Sequence, residues 1–142
     1  MSVNLNALFV GVKEKMSGIN FEQKVNDDKI TITASVTTKS YDDGIFIKVI
    51  AYESGTLHCF AVFDQLRRSS TVYELLDDFN ASSSWFSAYI SKINEKEFLE
   101  LHYAVIKCAD TQNAVYNVER FFDYLIDEDT VKQLKPLTEL TF

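Results

Sequence analysis

Glycine is scarce and scattered in this sequence. The four glycines are Gly11, Gly18, Gly44 and Gly55, and the two closest are seven residues apart. A loop that cradles phosphates needs several glycines within one short turn. The sequence therefore contains neither a P-loop nor a dinucleotide-binding fingerprint, and we predict no cofactor.

Cysteine and histidine are also rare, with two of each. His58 and Cys59 are adjacent on a predicted strand, so their side chains point to opposite faces and cannot share a metal ion. Cross-strand pairing of His58 with His102 remains open, but two histidines alone make a poor metal site. Neither histidine lies in a nucleophile motif, so we predict no metal site and no catalytic residue.

Basic residues and long apolar runs are lacking as well. The chain has 14 Lys and Arg against 21 Asp and Glu, which gives a net charge of −7. Nucleic acids and anionic membranes both select clustered Lys and Arg, so neither is an expected partner. No apolar run reaches the roughly 18 residues that a membrane span needs. The first run, residues 7–12, is too short for a secretory signal. Two cysteines in apolar strands are typical of free thiols, and we expect a cytoplasmic protein.

What the sequence does contain is a sizeable apolar fraction, 46%, of which aromatics make up a good part. Helical spacing predicts helices over residues 3–17, from about 70 to 80, and from about 111 to 125. Alternating or continuous apolar runs predict strands over residues 19–25, 30–38, 45–52, 57–63, 85–93 and 98–106. The third and fourth of these strands are apolar on both faces, so we expect them to be central and covered on two sides. The second, "ITITASVTT", is the expected edge strand.

The stretch "YELLDDFNASSSWFSAYI", residues 73–90, changes from helical to strand-like periodicity. Its middle is a run of small residues, 81–84, that ends at Trp85, the single tryptophan. A plain helix-to-strand connection is the simpler interpretation, and a binding loop is the alternative.

The predicted order α-ββββ-α-ββ-α indicates an α+β fold with an antiparallel sheet packed against helices. Residues 1–126 are expected to form one domain. Residues 127–142 are expected to form a C-terminal tail, with a short helical turn that Pro136 stops and an extended end.

Apolar surface is the main functional lead. Three helices are few for six strands, so either the tail closes over the core or a second subunit or peptide covers the remaining apolar surface. The predicted partner-binding residues lie on the second helix and in the tail: Val72, Leu76, Phe79, Leu137, Leu140 and Phe142. On this hypothesis, truncation after Asp129 weakens partner binding and leaves the fold intact.

The element order, the size and the acidic charge resemble the YbjN-like family, whose fold is that of type III secretion chaperones. The segment that carries the resemblance is "VYELLDDFNASSSWFSAYISKINEKEFLELHYAVI", in which an apolar helix ends at Asn80 before a short connection to a hairpin. The downstream "VERFFDYLIDEDTVKQLKPL" resembles the closing helix of the family and the tail beyond it. The three-serine linker and the last six residues depart from the family pattern.

The resemblance implies a non-enzymatic, dimeric protein that binds a protein partner, as secretion chaperones bind an extended client segment. We therefore predict a chaperone-like or regulatory protein-binding module. The alternative is an acidic inhibitor or immunity-type protein, which could be phage-encoded, that blocks a basic enzyme or a nucleic-acid-binding surface. An enzyme built around His58 and His102 is the least favoured interpretation.

Overall fold

A computed structural model describes residues 2–83 and 85–141 of the chain. Within these residues the elements are α1 (Leu5–Lys15), β1 (Glu22–Asn26), β2 (Lys29–Val36), β3 (Ile45–Tyr52), β4 (Leu57–Gln65), α2 (Ser70–Ser82), β5 (Ser87–Ile93), β6 (Lys96–Val105), α3 (Thr111–Ile126) and α4 (Glu128–Thr138). The predicted α+β class and the order up to α3 are confirmed. None of the helices in this part of the chain has the length and apolar character that crossing a membrane requires.

The strands form one antiparallel sheet in the order β1-β2-β3-β4-β6-β5. The edges are therefore β1 and β5, and the prediction that β2 is an edge strand was wrong. The prediction failed because β1, the preceding strand, pairs with β2 and takes the edge position. Residues 22–26 are exposed along their whole length, yet they pair with β2 from Glu22↔Thr33 to Asn26↔Lys29. The polar side of β2 therefore faces solvent although β2 is an interior strand, flanked by β1 and β3.

Local sequence explains where the elements begin and turn. Ser69 is the N-cap of α2, because its hydroxyl accepts a hydrogen bond from the Val72 N–H. Thr71 and Glu74, which have the spacing of a capping box, thus lie inside the helix. Between β5 and β6, Asn94 and Glu95 both have positive φ, which is the backbone of a tight two-residue hairpin turn.

Asn80 anchors the junction that follows α2. Its side-chain amide donates to the Ala88 carbonyl at 2.9 Å, and its side-chain oxygen accepts from the Ala88 N–H at 2.7 Å. Trp85 stacks on Tyr124 of α3 with ring centroids 4.2 Å apart, and Phe86 enters the core. The junction is therefore a helix-to-strand connection held at both ends, although Ser84 lies outside the described residues.

The C-terminal segment differs from the expected short turn and extended end. Asp127 caps α4, which runs for 11 residues and continues through Pro136. Proline costs a helix one hydrogen bond, here to the carbonyl of solvent-exposed Lys132. Burial of Thr130, Leu134 and Leu137 along one face of α4 outweighs that loss.

Candidate protein-binding face

The helices cover a single face of the sheet. The buried residues of α1, α2, α3 and α4 belong to one core cluster, and so does one alternating set of strand residues, which includes Ile32, Val49, Cys59 and Leu101. Val62 is buried but stands outside this cluster, because it points the other way. In the described part of the chain the opposite face of the sheet thus has no helix over it. We call it the open face.

Cross-strand register places the open-face residues of β3, β4, β6 and β5 side by side. One row runs Lys48, Phe60, His102 and Ser87, and the next runs Phe46, Val62, Glu100 and Tyr89. Ile50 and His58 are opposite each other in a third row. Phe46 is 44% exposed, whereas Val62 and Glu100 at the centre are 7% exposed. The face therefore has an apolar and aromatic centre with polar groups among its side chains.

The two histidines of the open face pair diagonally across β4 and β6. Nδ1 of His58 lies 2.9 Å from Nε2 of His102, and the rings are nearly parallel with centroids 5.1 Å apart. The ring of Phe60 is stacked 4.7 Å from that of His102 and 6.3 Å from that of His58, and the Lys48 ammonium lies 5.0 Å from the centre of Phe60. The predicted option of cross-strand pairing between the histidines is confirmed.

This arrangement keeps His102 neutral more readily than a free imidazole. Partial burial lowers the pKa of His102, and the nearby charge of His58 lowers it further, while the Glu100 carboxylate opposes both effects. When one of the two facing nitrogens carries a proton, it donates that proton in the hydrogen bond to the other. If both facing nitrogens carried protons, their N–H groups would point at each other and the hydrogen bond would be lost.

Glu100 is a buried carboxylate on the open face, and its partner is Tyr89. The two residues are directly opposite in the β5–β6 register. Burial raises the pKa of Tyr89, and the charge of Glu100 and its hydrogen bond with the phenol raise it further. The phenol therefore stays protonated and donates to the carboxylate, which partly compensates the cost of burying a charge.

The surroundings of the histidine pair determine what chemistry this face can support. Cys59 lies between His58 and Phe60 in sequence but points into the core, so the only nearby thiol is separated from the histidines by the sheet. Among residues 2–83 and 85–141 there is no group of three or more His, Cys, Asp or Glu that could hold a metal ion. Aromatic rings beside satisfied polar groups are typical of the centre of a protein interface.

The structure separates the residues that the sequence analysis proposed for partner binding. Val72, Leu76, Phe79 and Leu137 lie in the core cluster, with Leu137 fully buried. Leu140 is 42% exposed, and Phe142 lies outside the described residues. In this conformation the four buried side chains contact the core, so α4 closes over the apolar surface of α2. Their role in partner binding stays a prediction.

Sequence reasoning missed the open face because it treated β3 and β4 as covered on both sides. They are central strands, as expected, but only one of their faces is packed. The signal was the polar set at alternate positions, Lys48 and His58, together with Glu100 and His102 on β6. Residues of that kind rarely line a strand face that is sealed under a helix.

A second exposed aromatic cluster lies at the α2–β5 junction. Trp85 is 45% and Tyr116 47% exposed, and the Arg120 guanidinium lies 5.7 Å and 5.3 Å from their ring centres. Arg120 also hydrogen-bonds to the hydroxyl of Tyr124. Cation–π contacts and stacking fix these side chains to one another. The cluster therefore offers a comparison surface of similar composition and exposure.

Comparison with known proteins finds this architecture in a solved structure. No protein-family model matches the chain, and no curated protein matches it in sequence. The crystal structure of YbjN, a candidate transcription regulator from E. coli, is similar with a TM-score of 0.55 and 16% identity. The likeness covers 96% of this chain and 90% of that one. The fold is YbjN-like. At this identity the comparison establishes the fold alone, and it confirms the resemblance at that level.

Proposed function

We propose that this protein is a non-enzymatic, regulatory protein-binding module that engages a protein partner through the open face of its sheet. One observation carries the proposal: a sheet face that no helix of the described residues covers bears Phe46 and Phe60 beside a hydrogen-bonded histidine pair. Exposed apolar patches that are rimmed by polar residues mark interaction sites. The description of YbjN as a candidate regulator is consistent with a regulatory role.

A protein partner suits the charge of the chain better than DNA does. The net charge of −7 opposes close approach to a phosphate backbone. A chain with this charge can still regulate transcription by binding a protein. A second copy of the same chain is one such partner, and a homodimer formed through the open face belongs to the same proposal.

The test compares two substitutions of equally exposed aromatic residues. Phe46→Asp places a charge on the open face, and Tyr116→Asp does the same in the Trp85 cluster, where exposure is nearly identical at 47% against 44%. Tagged wild type and both variants are used to capture partners from the native cell, and the mass of each complex is measured by light scattering. We expect Phe46→Asp to remove the partner, or to convert a dimer into a monomer, and Tyr116→Asp to leave the complex intact.

Two results would contradict the proposal. Loss of the complex with Tyr116→Asp and not with Phe46→Asp would place the interface on the Trp85 cluster. If wild type and both variants were monomers that capture no partner, the protein-binding function itself would be contradicted. The identity of the captured partner also tests the alternative function. An acidic inhibitor would capture a basic enzyme, and the association of the two proteins would slow steeply with added salt.

A further inference from the structure

A cleft lies between the β2–β3 connection and α4, on the side of the molecule away from the open face. Its volume is about 520 Å³, which falls within the range of small-molecule sites. Its floor consists of buried apolar side chains from the core, Ile45, Phe63, Leu125 and Leu134. We call it the α4 cleft.

The walls of the α4 cleft are fixed by contacts within the fold. The Tyr41 hydroxyl accepts a hydrogen bond from the Asp64 N–H at 3.0 Å, and its ring packs edge-on against Phe63 at 5.0 Å. Thr38 and Tyr41 exchange two backbone hydrogen bonds, which close the connection into a turn. Opposite them, Thr141 pairs with Leu66 and ties the end of the chain to the sheet. A cleft with such anchored walls does not need to be organised by its ligand.

The rim of the cleft is acidic. Asp42, Asp43 and Glu139 line it together with a single cation, Lys135, which lies 3.9 Å from Glu139. Three carboxylates against one ammonium leave the mouth negative. The pKa of Tyr41 is raised mainly by burial; its hydrogen bonds with Thr141 and with the Asp64 N–H lower it, and the charges of Asp64 and Asp43 raise it.

We infer that the α4 cleft binds a small organic cation, with the apolar body on the floor and the ammonium group at the Asp42–Asp43 rim. Such a ligand can place its apolar body on the apolar floor and its charge at the negative mouth, with the hydroxyls of Tyr41 and Thr138 between them. An organic anion would be repelled by the same mouth. The site is independent of the open face and does not rest on the proposed function.

Three probes of the same size test this assignment on the isolated protein. They are 2-phenylethylammonium, uncharged 2-phenylethanol and anionic phenylacetate, each titrated into ¹⁵N-labelled protein while amide chemical shifts are followed. We expect the cation to shift residues 38–45 and 131–141 saturably, and the alcohol to bind the same residues about fivefold more weakly. The anion should not saturate.

Variants separate the roles of charge and space. The double variant Asp42→Asn with Asp43→Asn should bind the cation about fivefold more weakly and bind the alcohol with unchanged affinity. The matched control, Asp27→Asn with Asp28→Asn, changes an acidic pair at the opposite end of β2 and should alter neither. Thr138→Phe fills the cleft and should abolish both ligands, with the dispersion of the same spectra reporting that the variant is folded.

Several outcomes would overturn the inference. They are equal affinities for cation, alcohol and anion, shifts confined to the open face, no saturable shift at all, equal effects of the two acidic-pair variants, and unchanged binding in folded Thr138→Phe.

Discussion

The side chain of Asn80 pairs with the backbone of Ala88 as a neighbouring strand would. It accepts from the N–H at 2.7 Å and donates to the carbonyl at 2.9 Å. Ala88 lies on β5, an edge strand of the sheet, so these two groups point away from β6. The amide thus satisfies part of an open edge and joins the end of α2 to the sheet. Unpaired edge groups invite pairing with other chains, and this contact removes two of them.

We predict that Asn80→Ala lowers the free energy of unfolding by about 1–2 kcal/mol, because two neutral hydrogen bonds are lost at a partly exposed site. Asn80→Asp keeps the acceptor for the Ala88 N–H but turns a carboxylate oxygen towards the Ala88 carbonyl, so we expect it to be no more stable than Asn80→Ala. Urea denaturation of the three proteins measures this order. Equal stability of all three would show that the contact contributes nothing.

The histidine pair makes stability depend on pH. The pKa of His102 is lower in the folded state than in the unfolded chain, so the unfolded chain binds more protons between the two values. The stability that comes from neutral His102 is therefore present above the unfolded value of about 6.5 and is lost as the pH falls below it. We expect the urea midpoint of wild type to decrease from pH 7.5 to pH 5.5.

His102→Gln isolates this contribution, because glutamine retains a polar side chain that does not titrate. The variant should show a smaller decrease over the same pH range, because it lacks the imidazole whose pKa is lower in the folded state. Parallel pH profiles for wild type and variant would exclude His102 as the source.

Leu137 and Leu140 test whether α4 belongs to the core. Leu137 is fully buried, whereas Leu140 is 42% exposed three residues later. Leu137→Ala should cost about 2–5 kcal/mol through lost burial and the cavity left behind. Leu140→Ala should stay within about 0.5 kcal/mol. Thermal and urea unfolding of both variants gives the comparison, and equal costs would mean that α4 is not packed as described.

This packing changes the expectation for truncation. Removal of residues after Asp129 would delete Thr130, Leu134 and Leu137, all of which are buried. We now expect truncation to destabilise the fold itself, so it cannot serve as a clean test of partner binding. Point substitutions on the surface are the better instrument.

Periodicity predicted the elements well where one structure repeats along a segment. β3 was predicted over residues 45–52 and is Ile45–Tyr52, and α3 begins at Thr111, just after its Asp110 cap. The α4 helix was missed because the local effect of Pro136 was weighed without the burial of Leu137, which depends on distant parts of the chain. Strand order could not be read from pattern either. Apolar alternation marks both β1 and β2 as strands, and only the pairing of β1 with β2 shows that β1 is the edge.

The candidate sites were harder to predict for the same reason. The open face consists of alternate residues on strands that are distant in sequence, and only the register brings Lys48, Phe60 and His102 into one row. The α4 cleft joins the β2–β3 connection to the last helix. Sequence could nominate the His58–His102 pairing, since both residues lie on predicted strands. It could not show which side of the sheet is uncovered.

The two thiols provide a last test of the packing. Cys59 is fully buried on the core face, and Cys108 is 2% exposed. Burial raises the pKa of Cys59, and the neighbouring Cys108 raises it further, so its reactive thiolate is scarce at neutral pH. We expect neither cysteine to react with Ellman's reagent at pH 8 in the native protein, and both to react in guanidinium chloride. Cys59→Ala and Cys108→Ala assign each thiol in turn. Rapid labelling of Cys59 in the native state would contradict this packing, because access to its sulfur requires the helices to separate from the sheet.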